Sequence, residues 1–137
     1  MLRVKVHRVL DIVIIRCHGT ITLGENFWAL RNAMASQSAA RLVVLDLAGT
    51  RRIDAAGLGL LLALRERACA DGSQFKLMNV RPKVKRLIRI ARLEQVFEFC
   101  SVLDMLNLVH VARSAALAAR CGFPKPTAAA LYDPPTA

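Results

Sequence analysis

Two carboxylates, Asp46 and Asp54, flank a short segment of this 137-residue chain and could share acid–base work. Nothing nearby makes an enzyme of them. His7, His18 and His110 fall in three separate stretches, and no catalytic arrangement follows from that spacing. The two carboxylates therefore read as stabilising a loop and facing a partner, with Asp54 also placed to cap a following helix. Cys17, Cys69, Cys100 and Cys121 are scattered, with no Cys-x-x-Cys pair, and are expected as reduced thiols. Cys17 and His18 are adjacent, but neighbours on a strand point to opposite faces and do not converge on one ion. The residues predict no catalytic set, no metal site and no cofactor.

The segment Ile53-Asp54-Ala55-Ala56-Gly57-Leu58-Gly59-Leu60-Leu61 is the distinctive one. Two glycines in the first turns of a helix each cost roughly 1 kcal/mol relative to Ala, so something must approach the backbone there. Either the helix packs closely on a sheet, or a ligand or partner comes near its N-terminus, where N–H groups and partial positive charge gather. Gly-x-Gly alone is not a dinucleotide fingerprint, and no Lys-Ser/Thr pair makes it a P-loop.

Twenty basic against ten acidic residues give a net charge of +10. That permits attraction to nucleic acid, an anionic membrane or an acidic protein without choosing among them. Arg81, Lys83, Lys85, Arg86, Arg89 and Arg92 cluster, with Lys85, Arg89 and Arg92 on one helical face. That face is either simply solvated or meets an acidic partner or anionic lipid. Direct nucleic-acid binding is not expected, because aromatics make up only 5% of the chain and none interleaves with the cluster. Arg51 and Arg52, beside Asp54, are surface arginines or pair with a partner's acidic groups.

These residues need elements to position them. Arg3–Arg8 alternates polar and apolar, and Ile12–His18 is β-branched, which predicts a hairpin turning at Leu10-Asp11 and ended by Gly19. Thr22 and Glu25 have capping-box spacing for a helix over about 23–38, with Phe27, Leu30 and Met34 inward. Trp28 falls off this stripe, as a covered core edge or an exposed contact. Leu42–Leu47 reads as a strand buried on both faces, then Ala48–Asp54 as a loop. A helix over 57–70 places Leu58, Leu61, Leu62 and Arg65 in register and ends at Asp71-Gly72. Phe75–Val80 predicts a strand. Pro82 opens a helix with Val84, Leu87, Ile88 and Ala91 inward. Val96–Cys100 predicts a last strand and about 102–120 a last helix. The order β-β-α-β-α-β-α-β-α makes an α/β domain with a mixed sheet and helices packed against it. The domain is expected over 1–121, followed by a mobile Pro/Ala-rich tail over 122–137. The longest apolar run before the C-terminal region, about Gly57–Leu64, falls short of the ~20 residues a bilayer needs, and no transmembrane segment is expected.

Residues 3–110, and Val43–Cys100 most closely, resemble the STAS domain of bacterial anti-sigma factor antagonists. The resemblance rests on Leu45-Asp46-Leu47, on Ile53 to Gly59, on Gly72 and Phe75-Lys76-Leu77, on Asn79 to Val84, and on Leu87–Phe97. Gly19 sits where the family tends to have a glycine after its first hairpin. The family's loop usually reads Asp-Ser-Ser-Gly, and its second serine is phosphorylated by the partner. Here the loop reads Asp54-Ala55-Ala56-Gly57, so Ala56 takes the serine's place and has no hydroxyl to modify. Thr20, Thr22 and Thr50 are alternative hydroxyls, although each also reads as a turn or cap residue.

The resemblance implies a cytoplasmic antagonist that binds an anti-sigma factor of serine-kinase-like fold and so releases a sigma factor. The implied contact residues are Asp46, Asp54, Ala55, Ala56, Gly57, Leu58 and Gly59. With Ala56 in place of serine, the chain is either permanently competent or controlled in another way. A STAS subunit of a transporter or of a stressosome-like signalling complex is the alternative.

Overall fold

The computed structural model describes residues 2–22, 25–36 and 39–120, excluding the side chains of residues 25–27. The expected order holds: β1 (Arg3–Val9), β2 (Ile12–Ile21), α1 (Glu25–Ala35), β3 (Leu42–Ile53), α2 (Ala55–Ala70), β4 (Gln74–Met78), α3 (Pro82–Ile90), β5 (Glu98–Cys100) and α4 (Val102–Arg120). The capping box at Thr22–Glu25, the Phe27 side chain, Cys121 and the tail over 122–137 lie wholly or partly outside the described residues.

The chain forms two compact units, Met1–Ser101 and Val102–Ala137. In the first, one five-stranded sheet has the order β1-β2-β3-β4-β5. β1 and β2 are antiparallel, from Arg3 opposite His18 to Val9 opposite Ile12. Every later pairing is parallel. Three crossovers that advance one strand at a time in the same direction, each with the usual hand, set α1, α2 and α3 on one face. One core cluster accordingly holds Val13, Ile15, Val43, Leu45, Phe75 and Leu77 of the sheet with Leu30, Leu61 and Ile88 of the three helices. The run Leu42–Leu47 is buried throughout, as the apolarity of Leu42–Leu45 and Leu47 predicts, with the charged Asp46 buried among them.

Several boundaries move. β2 passes through Gly19 to Ile21, and β3 runs on to Ile53 where a loop over Ala48–Asp54 is expected from sequence. The two strands satisfy each other there: His18 faces Gly49, Thr20 faces Arg52 and Ile21 faces Ile53, across two register shifts. The polar run Thr50-Arg51-Arg52 hides a strand whose arginines simply point to solvent. β4 stops at Met78, because Asn79 turns with φ 55°. β5 shrinks to three residues, since Val96 and Phe97 donate their N–H groups to the Leu93 carbonyl in a turn.

The helices keep their predicted faces with local changes. In α2, Leu58, Leu60, Leu61, Leu64 and Ala68 are buried, while Leu62 and Arg65 are only half-buried. In α3, Val84 and Ile88 are buried, but Ala91 lies past the helix end and is exposed. Gly72, at φ 78°, takes the left-handed place expected of it after α2.

The second unit is built on α4. Among the described residues it is the one helix long and apolar enough, by length and composition, to cross a membrane. Asp104, Asn107, His110 and Arg113 interrupt its apolar sequence, and Leu103, Leu106 and Leu117 are exposed.

Candidate functional site

The start of α2 is built around Asp54. Its backbone is extended (φ −108°, ψ −176°) and its carboxylate Oδ1 accepts the Gly57 N–H at 2.7 Å. This is an N-cap: the side chain satisfies one of the donors that a helix start leaves without intrahelical partners. The Asp54 N–H in turn donates to the Ile21 carbonyl at 3.4 Å, which ties the helix start to the end of β2.

Gly57 explains the first of the two glycines. A Cβ there would lie 2.6 Å from Ile53 Cγ1 and closer still to the Ile21 carbonyl oxygen. Close packing of helix on sheet therefore accounts for it. Gly59 is different: it is exposed, and a Cβ there would meet nothing within 4 Å. Packing does not call for that glycine, which leaves a smooth helix surface next to exposed Ala55 and Ala56. The amides of Ala55 and Ala56 belong to the first turn, whose donors point out of the helix end.

The predicted contact residues thus divide. Asp54, Ala55, Ala56 and Gly59 form one exposed surface at the helix start, and Gly57 and Leu58 lie buried beneath it. Asp46 is elsewhere, within β3 and eight residues before Asp54, which is roughly 25 Å of extended chain. It is nearly buried, at 7% exposure. Its Oδ1 accepts the Ala48 N–H at 3.0 Å and the Asn79 amide at 3.2 Å, and Oδ2 lies 3.5 Å from Arg16 Nε. Arg81 Nε donates to the Ala48 carbonyl at 2.7 Å. Asp46 therefore fastens the turn after β4 onto β3, and no carboxylate pair with Asp54 exists.

Among the alternative hydroxyls, Thr50 is fully buried and donates to the Cys17 carbonyl at 3.2 Å, which removes it as a site of modification. Cys17 is also buried. Desolvation, with a contribution from the charge of Asp46, pushes its thiol from 9.0 up to about 12, so it is a packing residue. Trp28 is exposed, with the Arg31 guanidinium 5.7 Å from its ring centre. On α3 the basic face is solvent-facing, with Arg89 3.4 Å from Glu94 and Lys85 over the Phe99 ring at 5.4 Å. Sequence reasoning missed Arg3, Lys5, Arg16 and His18, which share one sheet face. Their signal was present as basic residues at alternate positions on two paired strands.

This fold, a sequentially ordered mixed sheet with a capped, small-residue helix start, defines a class of α/β domain. The family described as Mlab, STAS domain matches residues 11–109, and the chain belongs to it. A STAS-domain containing protein of Pseudomonas aeruginosa is 36% identical over 58 residues, which are 42% of this chain and 57% of that protein. The chain thus matches little more than half the length of that curated relative. The fold is also that of an anti-sigma factor antagonist from Mycobacterium paratuberculosis, with TM-score 0.68 and 21% identity over 80% of this chain and 95% of that one. A sulfate transporter family protein from Wolinella succinogenes shares it at TM-score 0.62 and 17% identity, over 77% and 89% of the two chains.

Proposed function

We propose that this chain is an anti-sigma factor antagonist that docks on its anti-sigma factor through Asp54, Ala55, Ala56 and Gly59, and so frees a sigma factor. The observation that carries the reading is the exposed start of α2, Asp54-Ala55-Ala56 with Gly59; on the resemblance to the antagonists' Asp-Ser-Ser-Gly loop, we read Ala56 as standing where their phosphorylated serine would be. A phosphate at such a site adds roughly −1.5 to −2 charges beside a partner. Ala56 keeps the surface neutral and small, like an unmodified serine loop. The docking surface is then permanently competent, and control falls on the amount of protein or on the partner. Gly57 and Leu58, buried beneath it, support the surface from below, whereas Asp46 takes no part in it and holds the turn after β4 instead. No catalytic step is assigned to the chain.

A second reading, a STAS subunit of a transporter complex, is favoured by the description of the matched family and by the transporter neighbour. One experiment separates them. The tagged full chain is used to capture partners from its own cells, alongside Ala56→Glu and Gly59→Arg, which change only exposed positions. A kinase-fold anti-sigma factor captured by the wild type and lost from both variants supports the antagonist. A transporter ATPase lost in the same way supports the second reading. A partner retained by both variants would remove the α2 start as the docking surface. Adding back the hydroxyl gives a sharper check. An anti-sigma kinase is expected to transfer phosphate from radiolabelled ATP to Ala56→Ser and leave the wild type unlabelled at that position.

A further inference from the structure

The sheet face turned away from α1–α3 carries an accumulation of positive charge that the docking surface does not use. Arg3 stands opposite His18, Lys5 opposite Arg16, and Arg16 opposite Asp46. Directly opposed residues project from the same side of a sheet, and like charges so placed, as in Lys5 and Arg16, repel. All four basic residues are exposed, and they line an open cleft of about 530 Å³ floored by Asp46, Ala48 and Gly49. A second hollow of about 340 Å³ continues from Arg3 and His18 to Thr20 and Arg51.

Two details indicate a built recess. Among the described residues Asp46 is the cleft's one carboxylate, and its oxygens are already engaged by Ala48, Asn79 and Arg16, so it orients Arg16 and offers Arg3 and Lys5 no carboxylate of their own. Gly49 keeps the floor low: a Cβ there would collide with the His18 imidazole, which lies against the β3 backbone. Any other residue at position 49 would push His18 aside.

We infer that this cleft binds a small phosphate-bearing anion, held by Arg3, Lys5, Arg16 and His18. Guanidinium forks match phosphate oxygens in geometry as well as charge. The volume lies within the ~300–1,000 Å³ range of small-molecule sites. A recess, as opposed to the convex basic face of α3, favours a compact ligand over an extended acidic surface. The phosphate could belong to a soluble ester or to a lipid headgroup, and the test distinguishes these sources.

The test is an NMR titration of the ¹⁵N-labelled full chain with pyrophosphate at constant ionic strength. Saturable shifts are expected at the amides of Arg3, Lys5, Arg16, His18 and Gly49. Arg3→Glu with Lys5→Glu should weaken binding by about tenfold or more, since charge-assisted bonds are each worth roughly that factor. Lys83→Glu with Arg86→Glu removes the same charge from α3 and should leave the affinity unchanged. Shifts that never saturate, or equal losses in the two double variants, would overturn the proposal and indicate diffuse attraction to a basic protein. Sedimentation with phosphatidylglycerol vesicles assigns the source. Vesicle binding that needs Arg3 and Lys5 and is competed by pyrophosphate points to a headgroup, and pyrophosphate binding without it to a soluble ester. Vesicle binding through those residues with no response to pyrophosphate would replace the cleft with a lipid-facing surface.

Discussion

Single atoms decide the roles of the two α2 glycines, and the difference is measurable. Gly57→Ala drives a methyl into the Ile21 carbonyl and Ile53, and overpacking of this kind costs about 1–3 kcal/mol. Gly59→Ala meets nothing and should gain roughly 0.5–1 kcal/mol, because alanine loses less backbone freedom in a helix. Urea denaturation of both variants checks the opposite signs, and equal effects would defeat the assignment of Gly57 to packing. Removing the cap with Asp54→Ala should cost about 0.5–2 kcal/mol by the same measurement. Cys17 gives a pH dependence. Its folded thiol holds its proton up to about 12, while the unfolded thiol releases it near 9.0. The folded state then binds more protons than the unfolded state across that window, so this contribution to stability is complete below pH 9 and is lost as pH rises toward 12. Wild type should therefore lose stability between pH 9 and 11 more steeply than Cys17→Ala, as read from thermal midpoints.

Among the elements, legibility followed burial. β3 was readable over Leu42–Leu47, where an apolar run has one interpretation, and unreadable over 48–53, where pairing with β2 overrides a polar sequence. The Asp54 cap and Gly72 were readable because each answers a local backbone need. The contact set around Ala56 was found from a motif, yet the motif could not show that Gly57 and Leu58 are covered while Gly59 is open. The basic sheet face was hidden because it depends on the β1–β2 register, which brings Arg3 opposite His18, fifteen positions on, and Lys5 opposite Arg16, eleven positions on. α3 offers a test at this scale. Ile88 is fully buried and Ile90, two residues on, is 69% exposed. Ile88→Ala should cost about 2–5 kcal/mol, whereas Ile90→Lys should leave the denaturation midpoint nearly unchanged.

Within the first compact unit as a whole, protection against hydrogen exchange should track position in the sheet. Amides of β2 over 12–18 and of β3 over 42–46, paired on both sides, should exchange slowest, and those of three-residue β5 at the edge fastest among the strands. Slower exchange in β5 than in β3 would contradict this topology. The strand order also bears on how the chain can be made. Each strand's sheet neighbours are its neighbours in sequence, so no strand waits for a distant partner yet to be synthesised. As the polypeptide leaves the ribosome, the β1–β2 hairpin can form first and each later strand can add to a waiting edge. Every closure is short-range and entropically mild. Assembly can then proceed in the order of translation, with the Ala56 surface completed before the last two strands emerge.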